Sequence, residues 1–136
     1  MENIFSKLTG RMRLFPGASE EELKNLSCLL PYPLPDDFLS FLKFSNGAFG
    51  MIGKYYLEIC KAEDILKINK EYLVQYYIPE LIIFGTDGGG EGYGFDYREK
   101  KTIVVDVPFI GMEWNLARKK GDSFFDFMQK INNDIL

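Results

Sequence analysis

Apolar and polar residues alternate along this chain with two periods, and the period changes at prolines and glycines. The stretch Leu81–Arg98 organises the rest: an apolar run (Leu81, Ile82, Ile83, Phe84), a glycine-dense turn, then aromatics at alternate positions, Tyr93, Phe95 and Tyr97. That order predicts strand, tight loop, strand. Before it, Ile4, Phe5 and Leu8 stand at helical spacing in a lead-in over residues 1–18 that turns at Pro16-Gly17. Ser19 with Glu22 three residues on forms a capping box for a helix over 19–30, with Leu23, Leu26, Leu29 and Leu30 on its buried face. Pro31, Pro33 and Pro35 force an extended linker. A short apolar helix follows from Asp36 and Asp37 through Phe38, Leu39, Phe41 and Leu42, and Asn46-Gly47 supplies a left-handed stop. Phe49–Ile52 and Tyr56–Cys60 predict two strands joined near Gly53-Lys54, and Ala62–Tyr77 predicts one helix ended by Pro79.

Beyond the central stretch, Thr102–Val107 is a β-branched strand closed by Pro108. Phe109–Ala117 reads as loop or short strand, and Arg118–Gly121 as a basic turn. Asp122 or Ser123 caps a last helix to about Asn133, with Phe124, Phe127, Met128 and Ile131 as its apolar face. Strands arrive in runs joined by tight turns. The expected fold is α+β: a single domain with an antiparallel or mixed sheet and helices packed mainly on one face.

Composition narrows the function classes. A chain of 136 residues with 46% hydrophobic and 15% aromatic residues can bury a core of its own. The net charge of −4 disfavours direct nucleic-acid binding and suits a basic protein partner. The absence of histidine removes the commonest general base and transition-metal ligand, so no metal, no cofactor and no enzymatic activity are expected. Cys28 and Cys60 have no metal or thioredoxin spacing and are expected to be reduced core residues of a cytoplasmic protein. There is no apolar run of membrane-spanning length and no secretory leader, so no membrane association is expected.

Six glycines fall within ten positions from Gly85 to Gly94. Gly85 and Gly90 have the spacing of the first two glycines of a phosphate-binding loop, but the lysine that should follow is Glu91. Asp87, Glu91 and Asp96 would repel phosphate, and the oxygen-ligand ladder of a calcium loop is missing. The glycines therefore read as a structural turn in which at least one of Gly88, Gly89 and Gly90 holds a positive φ. A hydrolase built on Asp96 and Asp106, carboxylates on neighbouring strands, is a further class to test.

The segment L-P-x-D-F-L-x-F-L-K-F-S-N-G (Leu34–Gly47) resembles the helix and Asn-Gly stop of the SUKH superfamily, which includes Knr-like cell-wall regulators and bacterial immunity domains. The strand pair Phe49–Cys60, the helical Ala62–Tyr77, the glycine-rich acidic turn within Phe84–Asp96, the strand Ile103–Pro108 and S-F-x-x-F at Ser123–Phe127 follow in that family's order, so the similarity covers residues 19–136. One departure is a tryptophan often present in the first half of such domains, where this chain has Met51 and Tyr55. The resemblance implies an α+β fold without catalysis, with Asn46, Gly47, Gly88, Gly89 and Gly90 specifying the fold. It also implies an immunity protein that binds and occludes a cognate toxin such as a nuclease, the alternative being a regulatory or scaffold domain with a small-ligand site. Asp87, Glu91 and Asp96 are the expected acidic contacts with a basic toxin, and Trp114 and the Tyr55-Tyr56 pair the candidate anchors, set against the plainer reading of each acid as solubilising a turn and of each aromatic as core.

Overall fold

The computed structural model describes residues 3–134, so residues 1–2 and 135–136 of the two expected segments lie outside the described residues. Seven strands form one sheet in sequence order, every neighbouring pair antiparallel: β1 (Met12–Leu14), β2 (Ala48–Ile52), β3 (Tyr55–Ile59), β4 (Leu81–Thr86), β5 (Glu91–Asp96), β6 (Ile103–Pro108) and β7 (Arg118–Gly121). The helices are α1 (Glu20–Leu29), α2 (Asp36–Phe44), α3 (Ala62–Glu71), α4 (Val74–Tyr77) and α5 (Phe124–Asn132). The class is α+β, as the run of strands predicts.

Alternation along the central strands divides the interior in two. Ile82 and Phe84 of β4, with Tyr93 and Phe95 of β5, face the larger core built from α1, α2, α3 and α5. Leu81 and Ile83 face the other way, onto Val74, Ile78, Val105, Val107 and Met112. Helices α1, α2 and α5 thus cover one face, and short α4 closes part of the other. The larger core is aromatic. Phe124 at the start of α5 lies 5.0 Å from Phe38, 5.4 Å from Phe41 and 5.5 Å from Phe84 between ring centroids. Phe5 of the lead-in is fully buried in the same cluster, 5.1 Å from Phe41, so the lead-in is a working part of the core.

Helix ends follow local chemistry. The Ser19–Glu22 capping box forms in both directions. Ser123, not Asp122, caps α5, its hydroxyl accepting from the Asp126 amide. Asn46 does more than stop α2: its Oδ1 accepts from the Ala62 amide at 2.7 Å and its Nδ2 donates to Glu63 at 2.8 Å, joining the end of α2 to the start of α3.

Several expectations are corrected. The single helix over Ala62–Tyr77 breaks at Leu73, which adopts the left-handed conformation (φ 53°, ψ 41°). The break turns the chain so that Val74 and Ile78 drop into the smaller core instead of continuing past it. The basic turn Arg118–Gly121 is an edge strand, and Met12–Leu14, inside the lead-in, is the opposite edge. Both are short and charged, as exposed edges commonly are. Cys28 is exposed and Leu29 is 66% exposed, because α1 buries only Leu23 and Leu26. Cys60 is partly buried, which pushes its thiol up to about 12.

The sheet has a seam. β3 and β4 share only two register pairs, Glu58↔Thr86 and Ile59↔Gly85, supplemented by the Cys60 amide donating to the Phe84 carbonyl. Farther along, β3 no longer flanks β4, and buried Asn69 of α3 takes its place. Its Nδ2 donates to the Ile83 carbonyl and its Oδ1 accepts from the Ile83 amide, both at 2.9 Å. A helix side chain completes the ladder that a strand has left.

In the β4–β5 turn the three glycines are not equivalent. Gly88 holds φ +80°, and a Cβ there would meet the Tyr56 ring at 2.7 Å. A Cβ on Gly90 would meet nothing within 4 Å, and neither Gly89 nor Gly90 has a positive φ. Gly88→Val should therefore destabilise by about 1–3 kcal/mol, while Gly90→Val should melt close to wild type. Equal melting of the two variants would show that the turn is unconstrained.

Candidate functional site

Two hairpin turns, β2–β3 and β4–β5, meet at one end of the sheet. Beside them the face covered by α5 carries a polar row, set by register: Tyr93 on β5 stands opposite Asp106 on β6, and Asp106 opposite Arg118 on β7. Around this row opens a cleft of about 440 Å3. Lys54, Tyr55 and Tyr56 come from the first hairpin, Asp87 and Glu91 from the glycine turn, and Lys120 from β7.

The turn is built by its own side chains. Asp87 Oδ1 accepts from the amides of Gly89 (2.7 Å) and Glu91 (3.2 Å), and the Thr86 hydroxyl donates to the Glu91 carbonyl. One Asp87 oxygen is thus committed to the loop. Asp106 is almost fully buried and takes a bidentate contact from Arg118 (3.0 and 2.9 Å), with Lys120 Nζ at 3.6 Å. That hydrogen bond raises the Arg118 pKa, the effect expected of a charge-assisted fork. Glu91 is partly buried and makes no side-chain hydrogen bond among the described residues. Burial first, then the Asp106 charge, raises its pKa.

Of the residues expected at a partner surface, Tyr55, Tyr56, Asp87 and Glu91 come together here. Asp96 and Trp114 do not. Asp96 is 3% exposed, and its two oxygens are held by the Arg98 guanidinium. That guanidinium lies 3.7 Å from the centroid of the Trp114 ring, and the indole N–H donates to Glu80. This cluster sits at the other end of β5 and on the other face, so Asp96 adds nothing to an acidic surface beside the turn. Its position also separates it from Asp106: Asp96 stands opposite Ile103, on the face of Leu81, whereas Asp106 stands opposite Tyr93. The hydrolase pair of Asp96 and Asp106 therefore does not form, and each carboxylate is instead matched to an arginine.

Tyr93, Asp106, Arg118 and Lys120 escape a reading of the sequence as site residues. Arg118–Gly121 carries no apolar alternation to mark it as a strand. The available signal is Asp106 itself, since a carboxylate inside I-V-V-D-V requires a nearby cation.

No group of three or more Asp, Glu or Cys side chains among the described residues is placed to hold a metal ion, and no described helix is long and apolar enough to cross a membrane. Thermal melts with and without a chelator should coincide, and a drop of many degrees in chelator would reveal a bound metal that supports the fold.

The family model described as SMI1 / KNR4 family (SUKH-1) matches residues 17–130. No curated protein matches the chain.

Proposed function

This chain belongs to the SMI1 / KNR4 family (SUKH-1), and from that premise we propose that it is a non-catalytic, cytoplasmic immunity protein of a bacterium, which binds a cognate basic toxin and blocks it by occlusion. A nuclease is one such toxin class. One observation carries the reading. Phe49, Met51 and Tyr56 share the outer face of β2 and β3, each more than a third exposed, and Tyr56 carries this apolar face up to the charged cleft. An exposed apolar patch edged by charged groups is the usual anatomy of a protein interface. The acids best placed to act in catalysis, Asp96 and Asp106, are held in ion pairs instead.

A second reading, a regulatory or scaffold domain with a small-ligand site, is favoured by a separate groove of about 510 Å3 beside α3, lined by Phe15, Phe49, Tyr56 and Tyr72. A pull-down from the native cell distinguishes them. Recovery of one dominant basic protein from a neighbouring reading frame, whose toxicity co-expression of this chain suppresses, supports immunity. Recovery of several cell-wall or signalling components without suppression supports the scaffold.

Steering by charge gives a kinetic expectation. Asp87 and Glu91, both partly exposed, sit on the rim of the cleft. Asp87→Lys with Glu91→Lys should slow association by about tenfold at low salt and much less at high salt. Association rates measured against ionic strength test this. A wild-type rate that does not vary with salt would rule steering out.

A further inference from the structure

The floor of the cleft holds one polar side chain whose ring is buried and whose hydroxyl, open to the cleft, the fold leaves unpaired. Tyr93 is 4% exposed, with its ring packed on Phe127 at 4.8 Å, and its hydroxyl makes no hydrogen bond among the described residues. The other buried polar side chains are committed: Asn46 to α3, Asn69 to Ile83, Asp96 to Arg98, Asp106 to Arg118, Thr9 to the Phe5 carbonyl and Ser45 to the Gly47 carbonyl. A hydroxyl that opens to a cleft at the tip of a buried ring, with no partner in the fold, is positioned for a group from outside.

The surrounding charges select the kind of group. Asp106 is saturated by Arg118 and Lys120, but Glu91 has no donor and Asp87 has one uncommitted oxygen. After burial, the charges of Asp87, Asp106 and Glu91 raise the Tyr93 hydroxyl to about 12, and only Arg118 acts against them. At Glu91 the charges are mixed, Asp106 and Asp87 acting in one direction and Arg118 and Lys120 in the other. Of the cations lining the cleft, Lys54 pairs with Asp134, and Arg118 and Lys120 with Asp106, so the Glu91 carboxylate and the free Asp87 oxygen are left to attract an entering cation. The rings of Tyr55 and Tyr56 line the same cleft and offer faces on which a cation can lie.

We propose that this cleft receives a basic side chain, arginine or lysine, from the partner protein, with the Glu91 carboxylate as its counter-charge and the Tyr93 hydroxyl accepting one of its N–H groups. The inference rests on the reading of the chain as a binder of a basic protein and gives that interface a specific anchor.

The test is an NMR titration of the full chain with four uncharged-backbone probes: N-acetyl-arginine methylamide, its neutral citrulline isostere, its glutamate counterpart, and the lysine analogue, which compares ammonium to guanidinium. The expected result is a saturable shift of the Tyr93 ring and Glu91 amide signals with the arginine or lysine probe in the millimolar range, and none with citrulline. Glu91→Gln should weaken that binding about tenfold, and Tyr93→Phe about threefold. Both replacements keep shape, so unchanged melting confirms that the loss belongs to the cleft. An equal response to citrulline, a preference for the glutamate probe, or no saturable shift at Tyr93 would overturn the proposal. The functional reading is tested apart from it. If the probe binds but no toxin is captured or suppressed, the immunity reading fails and the cleft stands. If toxin suppression is intact in both variants and no probe binds, the cleft fails and the immunity reading stands.

Discussion

Truncating Phe124 to alanine should cost about 3–5 kcal/mol, a large part of the roughly 5–15 kcal/mol that holds a domain of this kind together. Phe124 is fully buried at the first position of α5. Its ring lies within 6.5 Å of five others, from Phe5, Phe38, Phe41, Phe84 and Phe95. These come from the lead-in, α2, β4 and β5, so the vacated space borders four separate elements and cannot collapse by moving one of them. Edge-to-face contacts are lost along with buried area. Phe124→Leu should recover most of the loss, and Phe125→Ala, at a partly buried neighbour, should cost much less. Urea denaturation of the three variants provides the comparison. A loss below about 1 kcal/mol for Phe124→Ala would mean that this ring is not the centre of the core.

Asn69→Leu should cost about 2–4 kcal/mol, although it replaces a polar residue in an apolar setting with an apolar one of similar size. The Ile83 amide and carbonyl both lose their partner, and both lie where water cannot easily replace it. Leaving buried backbone groups unpaired costs about 1–3 kcal/mol each, offset in part by the leucine's own burial. Hydrogen exchange provides the specific signature: the Ile83 amide should lose protection more than the amides of β6. Unchanged protection at Ile83 would show that the seam is held by packing and not by this side chain.

Much of the architecture is legible because its signals are local. The Ser19–Glu22 box, the proline linker and the apolar face of α5 depend on neighbours within a turn or two, and they appear as expected. The break at Leu73 is not legible, since leucine is a good helix former and the left-handed turn is imposed by where Val74 must pack. The edge strands β1 and β7 are not legible either, because M-R-L and R-K-K-G show no alternation and bond on one side only. In the site, Tyr55, Asp87 and Glu91 meet because consecutive hairpins place their turns at one end of a meander. Asp96 could have been excluded on parity alone. It lies an odd number of positions after Glu91 on the same strand, which places it on the opposite face. Arg118 and Lys120 became visible only when β6 and β7 were paired in register.

The meander and the aromatic cluster bear differently on synthesis. Each strand's hydrogen-bond partner is the next one made, so the sheet can extend as the chain leaves the ribosome. Its filling cannot. Phe5 is among the first residues to emerge and Phe124 among the last, and the rings of Phe38, Phe84 and Phe95 wait between them for α5. A nascent chain stalled before Ser123 would carry every strand but present a bare aromatic face, the surface that chaperones capture and that aggregates grow from.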